Sequence, residues 1–537
     1  MKKKELIIIL GSLLVVVLSV SIAYFSTTIN SKNSNVSTSS AELKIVFASG
    51  SGTIAGSEIE PGWSSGVNTF TVKNQSNGTY KYNIVIKDLI NTFVTTGYLQ
   101  YKITSTDGGY NMSDFKDVPK SSISTDMTLG YNIKIEKNKT HTYNVEFRYL
   151  NSETENQNID MGKELSGTLY IDNNEIKLHG DYKEGTLGYK ILEDNPVRGV
   201  RSDFTKSFNS TNTGVLYTST ESIVESAPET VYYFAGNAKN NWVKFGGFYW
   251  RIIRTNHDGS VRLLYVGTST DTTSGYIGKS AFNTEYNDSM YVGYMYGTSG
   301  SLENNRTNEN SSLVKQYIDN WYDGTRTIVD SSKQTAYTDT STNKLIDYSE
   351  YLSQDAVYCN DREIGRGTYT ATGSSVFDYD TYIRLFKSPM SPSYNCTNSK
   401  DAFSLNNSEA KLTYPIGLMT ADEVAFAGGH TYISLFSPYV WFNLNSKNEF
   451  ISKDTVWWTI SPGGYYNSNN NNYYAAVFRV NYYTIQGGEY DKSYEGVLLL
   501  NSTTYVRAIR PVISLKSNVI WSRGDGSPEN PYEIVYN

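Results

Sequence analysis

Four histidines, His141, His179, His257 and His430, and two cysteines, Cys359 and Cys396, are the groups most able to do acid–base, nucleophilic or metal chemistry in this 537-residue chain. The histidines lie far apart, and no HExxH pair is present, so their spacing builds no zinc-hydrolase site. GxSxG, Walker A and GxGxxG phosphate loops are absent as well. Two cysteines are too few for a four-cysteine zinc site or a disulfide-rich scaffold. An even pair in an exported chain predicts one disulfide, Cys359–Cys396. Asp355, Asp361, Glu363, Asp378 and Asp380 cluster around Cys359 and offer oxygen ligands, but no EF-hand spacing supports a Ca²⁺ site. The expectation is therefore no catalytic residue, no metal and no cofactor.

Recognition chemistry is written more clearly into Gly463 to Tyr474. Six Asn and Ser residues, Asn467 to Asn472, stand between Tyr465-Tyr466 and Tyr473-Tyr474, directly after Trp457-Trp458-Thr459-Ile460-Ser461-Pro462. Tyrosine presents a flat ring with a hydroxyl at low rotamer cost, and asparagine presents a donor and an acceptor together. That pairing suits sugar hydroxyls or the backbone of a protein partner. Tyr465, Tyr466, Asn469, Asn470, Tyr473 and Tyr474, with Tyr482 and Tyr483, are the predicted ligand-binding residues on an exposed loop. Trp441 and Trp458 are expected in the core. Arg523-Gly524-Asp525 reads as a tight turn that uses glycine at positive φ.

These residues need a scaffold, and composition limits its kind. The 47 Lys and Arg against 54 Asp and Glu give a net charge of −7, which argues against a nucleic-acid partner. Tyr, at 46 residues, outnumbers Phe and Trp together (20 and 8), a bias that suits strands and wet surfaces. Lys2, Lys3 and Lys4 precede an apolar run from Leu6 to Phe25. As a helix of ~1.5 Å per residue this run would cross a ~30 Å hydrocarbon core. The same run reads equally as a signal peptide cleaved after Ala23. Either reading places the remainder outside the cell, as a secreted chain or a single-pass protein with an extracellular C-terminus.

The organisation follows as residues 1–25, signal or anchor; 26–40, a Ser, Thr and Asn spacer; 41–180, a β-sandwich, jelly-roll-like; 181–230, a linker; and 231–537, a larger α+β domain. Period-two alternation supports the second part: Leu43, Ile45 and Phe47; Tyr80, Tyr82, Ile84 and Ile86; Tyr143, Val145, Phe147 and Tyr149. In the last part Asp258-Gly259 predicts a hairpin, with Trp250, Ile252, Val261 and Leu263 inward and Arg251 and Arg254 outward. Thr420 and Glu423 predict a capping box. The fold class is mostly β with some α.

Ala23-Tyr24-Phe25-Ser26, Ala41-Glu42-Leu43-Lys44-Ile45 and Phe70-Thr71-Val72-Lys73-Asn74 resemble the camelysin and TasA family of Gram-positive secreted proteins. That resemblance implies either a metallopeptidase or a biofilm fibre subunit. His141 is the one histidine from Ala41 to Asn173, with no zinc-ligand pair, which favours the fibre or adhesion side. From Gly188 onward the stretches NNWVKFGGFYWRIIR, YPIGLMTADE, WWTISP and RPVIS resemble an uncharacterised surface domain of Gram-positive anaerobes. More distantly their order is similar to the C-type-lectin-like fold of formylglycine-generating enzymes. Those enzymes work through two cysteines near the C-terminal end, whereas Cys359 and Cys396 both precede the last landmarks, so that pair does not carry over.

The reading is an exported, non-enzymatic surface protein whose lectin-like head binds an extracellular glycan or protein, held to the membrane through Leu6 to Phe25 where that run is retained. Its alternatives are a self-assembling fibre subunit and a secreted metal-dependent enzyme.

Overall fold

A computed structural model describes residues 43–46 and 59–536 apart from 75–77, 96, 113, 173–177, 205–207, 209–214, 338–343, 374, 388, 432–439, 452–454, 469–471 and 486–491. The fold is mostly β, with 41% strand against 14% helix, distributed over several sheets. The apolar run from Leu6 to Phe25 lies outside the described residues, and among the described residues no helix is long and apolar enough to cross a membrane. Two compact units, residues 1–177 and 178–536, divide the chain.

The first unit contains β1 (Leu43–Val46), β2 (Asn68–Asn74), β3 (Tyr80–Asn91), β4 (Leu99–Ser105), β5 (Lys116–Asp117), β6 (Ser121–Ile135), β7 (Thr140–Tyr149) and β8 (Leu165–Asp172). They form two antiparallel sheets, in the orders β1-β2-β7-β4-β5 and β6-β3-β8. Alternate residues from both sheets, including Val72, Ile84, Ile86, Tyr143, Val145, Phe147 and Ile171, meet in one core, as the period-two pattern requires. Two polar features sit in that core. Tyr82 Oη lies 2.8 Å from His141 Nδ1 and 2.6 Å from Tyr143 Oη, so the histidine is held in a hydrogen-bond chain. Asp160 accepts from Tyr149 Oη at 2.6 Å and from Val94 N–H, Thr95 N–H and the Thr95 hydroxyl, tying the loop before β8 to the loop after β3.

The second unit is built on an eight-stranded sheet. Its order runs Val197–Val200, Leu216–Glu221, Glu229–Phe234, Phe248–Thr255, Val261–Gly267, Pro511–Leu515 and Ile416–Leu418, with Trp242–Phe245 pairing to Phe248–Thr255. A seven-stranded sheet contains Gly278–Ala281, Val506–Ile509, Trp457–Ser468, Phe377–Tyr379 and Ile364–Arg366, extended through Trp457–Ser468 by Asn472–Ile485 and Lys492–Ser502. Asp258-Gly259 turns the chain between two strands in antiparallel register, with Gly259 at φ 76°. Trp250, Ile252, Val261 and Leu263 are all buried there, as are Trp441 and Trp458. Arg523-Gly524-Asp525 is a turn, with Gly524 at φ 95° and Arg523 paired to Glu533 at 2.8 Å.

Two expectations require correction. Residues 181–230 are not a linker. Leu187, Ile191 and Leu192 of the Leu187–Asp194 helix, with Leu216, belong to the core of the second unit, and Leu216–Glu221 is an inner strand of its main sheet. Helix capping by Thr186 and the amphipathic spacing of those leucines were masked by the surrounding charge, Gly and Ser.

Arg251 and Arg254 are likewise buried rather than outward. Nearly every residue of Phe248–Thr255 is buried, so alternation along it does not separate core from solvent. Each guanidinium is accepted because it is hydrogen-bonded. Arg251 donates to Asn241 Oδ1 at 2.6 Å and to the carbonyls of Leu444 at 3.1 Å and Ala238 at 2.7 Å, over the ring of Trp242. Arg510 donates to the carbonyls of Phe442 at 2.8 Å and Tyr265 at 3.3 Å, beside Trp457. Neither has a carboxylate partner among the described residues, and burial pushes Arg510 down to about 9.

Limited proteolysis is expected to yield a resistant C-terminal fragment that retains residues 178–230, checked by mass spectrometry of the fragments. Release of a stable fragment beginning near residue 231 would contradict the placement of these residues in the core.

Candidate functional site

The predicted recognition loop is a hairpin of two long strands. Trp457–Ser468 pairs antiparallel with Asn472–Ile485, and Tyr465, Tyr466, Asn467 and Ser468 face Ala475, Tyr474, Tyr473 and Asn472 in register. The strands continue through the tyrosines because cross-strand ring pairs extend the ladder toward the tip. Tyr465 packs against Tyr473 with centroids 5.8 Å apart, and Tyr466 against Tyr474 at 6.0 Å. Tyr465 is fully buried and its hydroxyl donates to the Asn287 carbonyl at 2.8 Å, so it is a core residue and not a contact residue. Tyr466 is half-buried and donates to Asp378 Oδ1 at 2.9 Å. Tyr473 and Tyr474 are half-buried, and Asn467 and Asn472 exposed. Asn469 and Asn470 lie outside the described residues. Tyr482 and Tyr483 are placed as backbone within Asn472–Ile485.

A second constellation, which sequence reading did not assemble, begins at the Ala421–Ala427 helix. Thr420 Oγ1 accepts from the Glu423 N–H at 3.0 Å while Glu423 Oε2 accepts from the Thr420 N–H at 2.9 Å, the reciprocal cap the sequence predicts. The remaining Glu423 oxygen accepts from Arg254 Nε at 2.9 Å and lies 2.7 Å from Arg262 Nε, an ion pair without hydrogen-bond alignment. Arg254 also donates from Nη2 to Glu221 Oε1 at 2.8 Å, and the second Glu221 oxygen accepts from the His257 N–H and faces His257 Nδ1 at 3.3 Å. Burial alone would raise the Glu221 carboxyl, but Arg254 and His257 hold it at about 2. His257 is shifted the other way: burial lowers it, and Glu221 more than restores it.

Beside this lies a second ion cluster. Arg384 reaches Asp361 Oδ2 at 2.8 Å and Asp422 Oδ2 at 3.0 Å, and Asp422 also accepts from the Ser393 N–H at 2.9 Å. One guanidinium is thus shared between two carboxylates, with Asp380 a further 3.7 Å contact. Burial raises Asp361 more than Arg384 lowers it, and its carboxyl stands at about 6. A third cluster joins Asp401 to Arg362 at 2.6 Å and to Arg306 at 2.8 Å. Of the carboxylates that cluster in sequence around Cys359, Asp361, Glu363, Asp378 and Asp380 are divided among arginines, while Asp355 accepts from Asn406. Among the described residues no group of three metal-ligating side chains converges.

A cleft of about 370 Å³, counting its open mouth, separates the first two clusters. Glu221, Arg254, Asp361, Arg384, Asp422 and Tyr394 line it, together with Cys359 and Cys396. The cysteines form a disulfide, with Cα atoms 5.8 Å apart, that closes a 37-residue loop. In the chain-entropy account a loop of that length contributes about 4 kcal/mol of stability. The bridge fastens the segment carrying Tyr394, whose ring lies 4.4 Å from the Arg254 guanidinium, to the strand that leads into Asp361. A carboxyl near 6 in a cleft is suited to proton transfer near neutral pH. Asp422 and the hydroxyl-bearing residues Ser393, Thr420 and Ser461 line the same cleft, and Asp422 shares the Arg384 guanidinium with Asp361.

No protein-family model matches the chain, and no curated protein and no solved structure matches it.

Replacing Glu423 by Gln leaves Arg254 and Arg262 buried without their shared countercharge and is expected to cost about 3–5 kcal/mol in urea unfolding. A variant as stable as the parent would remove Glu423 from its bracing role. For Asp361 the folded value lies above the unfolded value of about 3.9, so ionising it costs the folded state more. Its contribution to stability therefore falls as pH rises from about 4 through about 6 and is level above that. Carboxyl ¹³C NMR is expected to give a midpoint near 6; a midpoint near 4 would show that Arg384 outweighs burial.

Proposed function

We propose that this chain is an exported, non-enzymatic cell-surface protein in which a β-sandwich stalk carries a C-type-lectin-like head that binds an extracellular glycan or protein. The observation that carries the reading is the outer end of the Trp457–Ser468 and Asn472–Ile485 hairpin. There the half-buried rings of Tyr466, Tyr473 and Tyr474 stand beside exposed Asn467 and Asn472 on a platform fixed by buried Tyr465 and by the Tyr466–Asp378 hydrogen bond. Aromatic faces held rigid from below, with amides at the rim, meet a ligand at low entropic cost. Three further points support the reading. The disulfide suits an oxidising compartment. The buried carboxylates of Asp361, Glu423 and Asp401 are each engaged with arginines, which suits a bracing role. The resemblance of residues 41–180 to the camelysin and TasA family suits a structural stalk better than a peptidase, because His141 is held in a tyrosine hydrogen-bond chain.

Binding of the full chain to a glycan and extracellular-protein array is the test. Serine at Tyr466, Tyr473 and Tyr474 together is expected to weaken the principal signal by about 10-fold or more, since several aromatic contacts of about 1 kcal/mol each are lost. The Tyr474→Ser variant alone should keep its thermal midpoint. Binding that survives the triple variant would place the contact surface elsewhere.

A further inference from the structure

Two arginines of the seven-stranded sheet stand apart from the ion clusters. Arg479 lies in Asn472–Ile485 and Arg507 in Val506–Ile509. The register sets Arg479 opposite Trp458 and Trp457 beside Ala508, so Arg479, Trp458 and Arg507 leave the sheet on one face. Leu499, opposite Arg479, and Asn501, opposite Val477, share that face.

Both guanidinium groups are half-buried, and each is oriented by a neutral amide. Arg479 Nη1 donates to Asn481 Oδ1 at 2.7 Å, and Arg507 Nε donates to Asn501 Oδ1 at 2.8 Å. The Arg507 guanidinium lies 5.0 Å from the ring centroid of Tyr505, a residue 52% exposed in the turn after Lys492–Ser502. Nη2 of each arginine has no protein partner among the described residues.

The contrast with most of the covered arginines of this unit is what points to a ligand. Arg254, Arg262, Arg306, Arg362 and Arg384 each face a carboxylate, Arg251 and Arg510 are fully buried against carbonyls, and half-buried Arg201 donates to the carbonyls of Asp203 and Phe426 between the rings of Phe204 and Phe208. Arg479 and Arg507 have no carboxylate among the described residues and remain half-exposed; each has one long carbonyl bond, Arg479 Nε to Leu500 at 3.4 Å and Arg507 Nη1 to Val506 at 3.2 Å, in a chain whose net charge is −7. Burial, and then the charge of Arg507, push Arg479 down to about 10, so the pair is held together against its own repulsion. A planar or tetrahedral oxyanion seated across both forks would relieve that repulsion and use the open N–H groups. The exposed tyrosine ring and Leu499 beside them supply an apolar surface of the kind on which a sugar ring stacks.

We propose that this face binds an acidic saccharide, its carboxylate or sulfate bridging Arg479 and Arg507 and its ring lying against Tyr505. The assignment rests on the binding role of the head and names a ligand class for it, on a part of the sheet separate from the Tyr466 and Tyr474 tip.

The probes are a sulfated heparin oligosaccharide, a galacturonate oligomer, neutral dextran, polyglutamate and inorganic sulfate, titrated calorimetrically into the full chain at low salt. At least one acidic oligosaccharide is expected to bind, to weaken as salt rises, and to lose about 10-fold or more in affinity in Arg479→Gln or in Arg507→Gln. Tyr505→Ser is expected to weaken the oligosaccharide while leaving inorganic sulfate unchanged. Arg507→Lys keeps the charge but not the fork; it should bind more weakly at an unchanged thermal midpoint, which covers the case of a glutamine variant that fails to fold. Three results would overturn the proposal: acidic oligosaccharides that do not bind, binding indifferent to both arginines, or inorganic sulfate or polyglutamate binding as tightly as the saccharide. Loss of array binding in the hairpin tyrosine variants with acidic saccharide binding intact would separate the two surfaces. Dextran and acidic saccharides both failing would overturn this assignment while leaving a protein ligand at the hairpin.

Discussion

The carboxylate of Glu423 is the constraint on which the second unit turns. One of its oxygens closes the cap of its own helix and the other neutralises Arg254 and Arg262, which come from two adjacent strands of the main sheet. Arg254 then passes the interaction to Glu221, on another strand of that sheet. Taking four charged groups out of water is expensive, and their attraction offsets that cost only when every member is present and well placed. Such a knot adds little net stability over an apolar core of equal volume. What it does impose is a single arrangement of helix, sheet and the segment bearing Tyr394, because any slip leaves a buried charge alone.

The features legible in the sequence are the local ones. The capping box needs only Thr420 and Glu423, three residues apart, and the turn at Asp258-Gly259 needs only its own two residues and the strands on either side. The alternation in β2, β3 and β7 could be read because two sheets enclose one core and each strand has a dry and a wetter face. Arg251 and Arg254 were misread for the opposite reason. Their strand is covered on both sides, and the groups that make burial tolerable, Glu423, Glu221 and the carbonyl of Leu444, lie far away in the chain. Residues 181–230 were misjudged similarly, since their apolar positions matter only once strands from distant parts of the sequence meet them.

The candidate surfaces show the same division. Tyr and Asn composition marks this hairpin, yet composition carries no register, and register is what sends Tyr465 inward while leaving Tyr473 and Tyr474 half-covered. The ion clusters could not be read at all. Asp361 and Asp422 are brought together by Arg384, and the cysteines that join one wall of the cleft to the other say nothing in sequence about the carboxyls between them. Arg479, Arg507 and Tyr505 come from different strands and a turn, and they meet only because the sheet order sets their strands on one face.

Arg251 and Arg510 have a consequence for motion. Together they grip the carbonyls of Phe442 and Leu444, two points of the short segment that runs through Trp441–Asn443, from beneath the main sheet. Opening this segment alone would take one carbonyl acceptor from each of two unneutralised guanidinium groups in a dry interior. The segment is therefore denied the independent fraying that irregular surface chain ordinarily enjoys. Its backbone amides should exchange with solvent on the timescale of the sheet as a whole, making this stretch of non-regular chain as slow to breathe as a central strand.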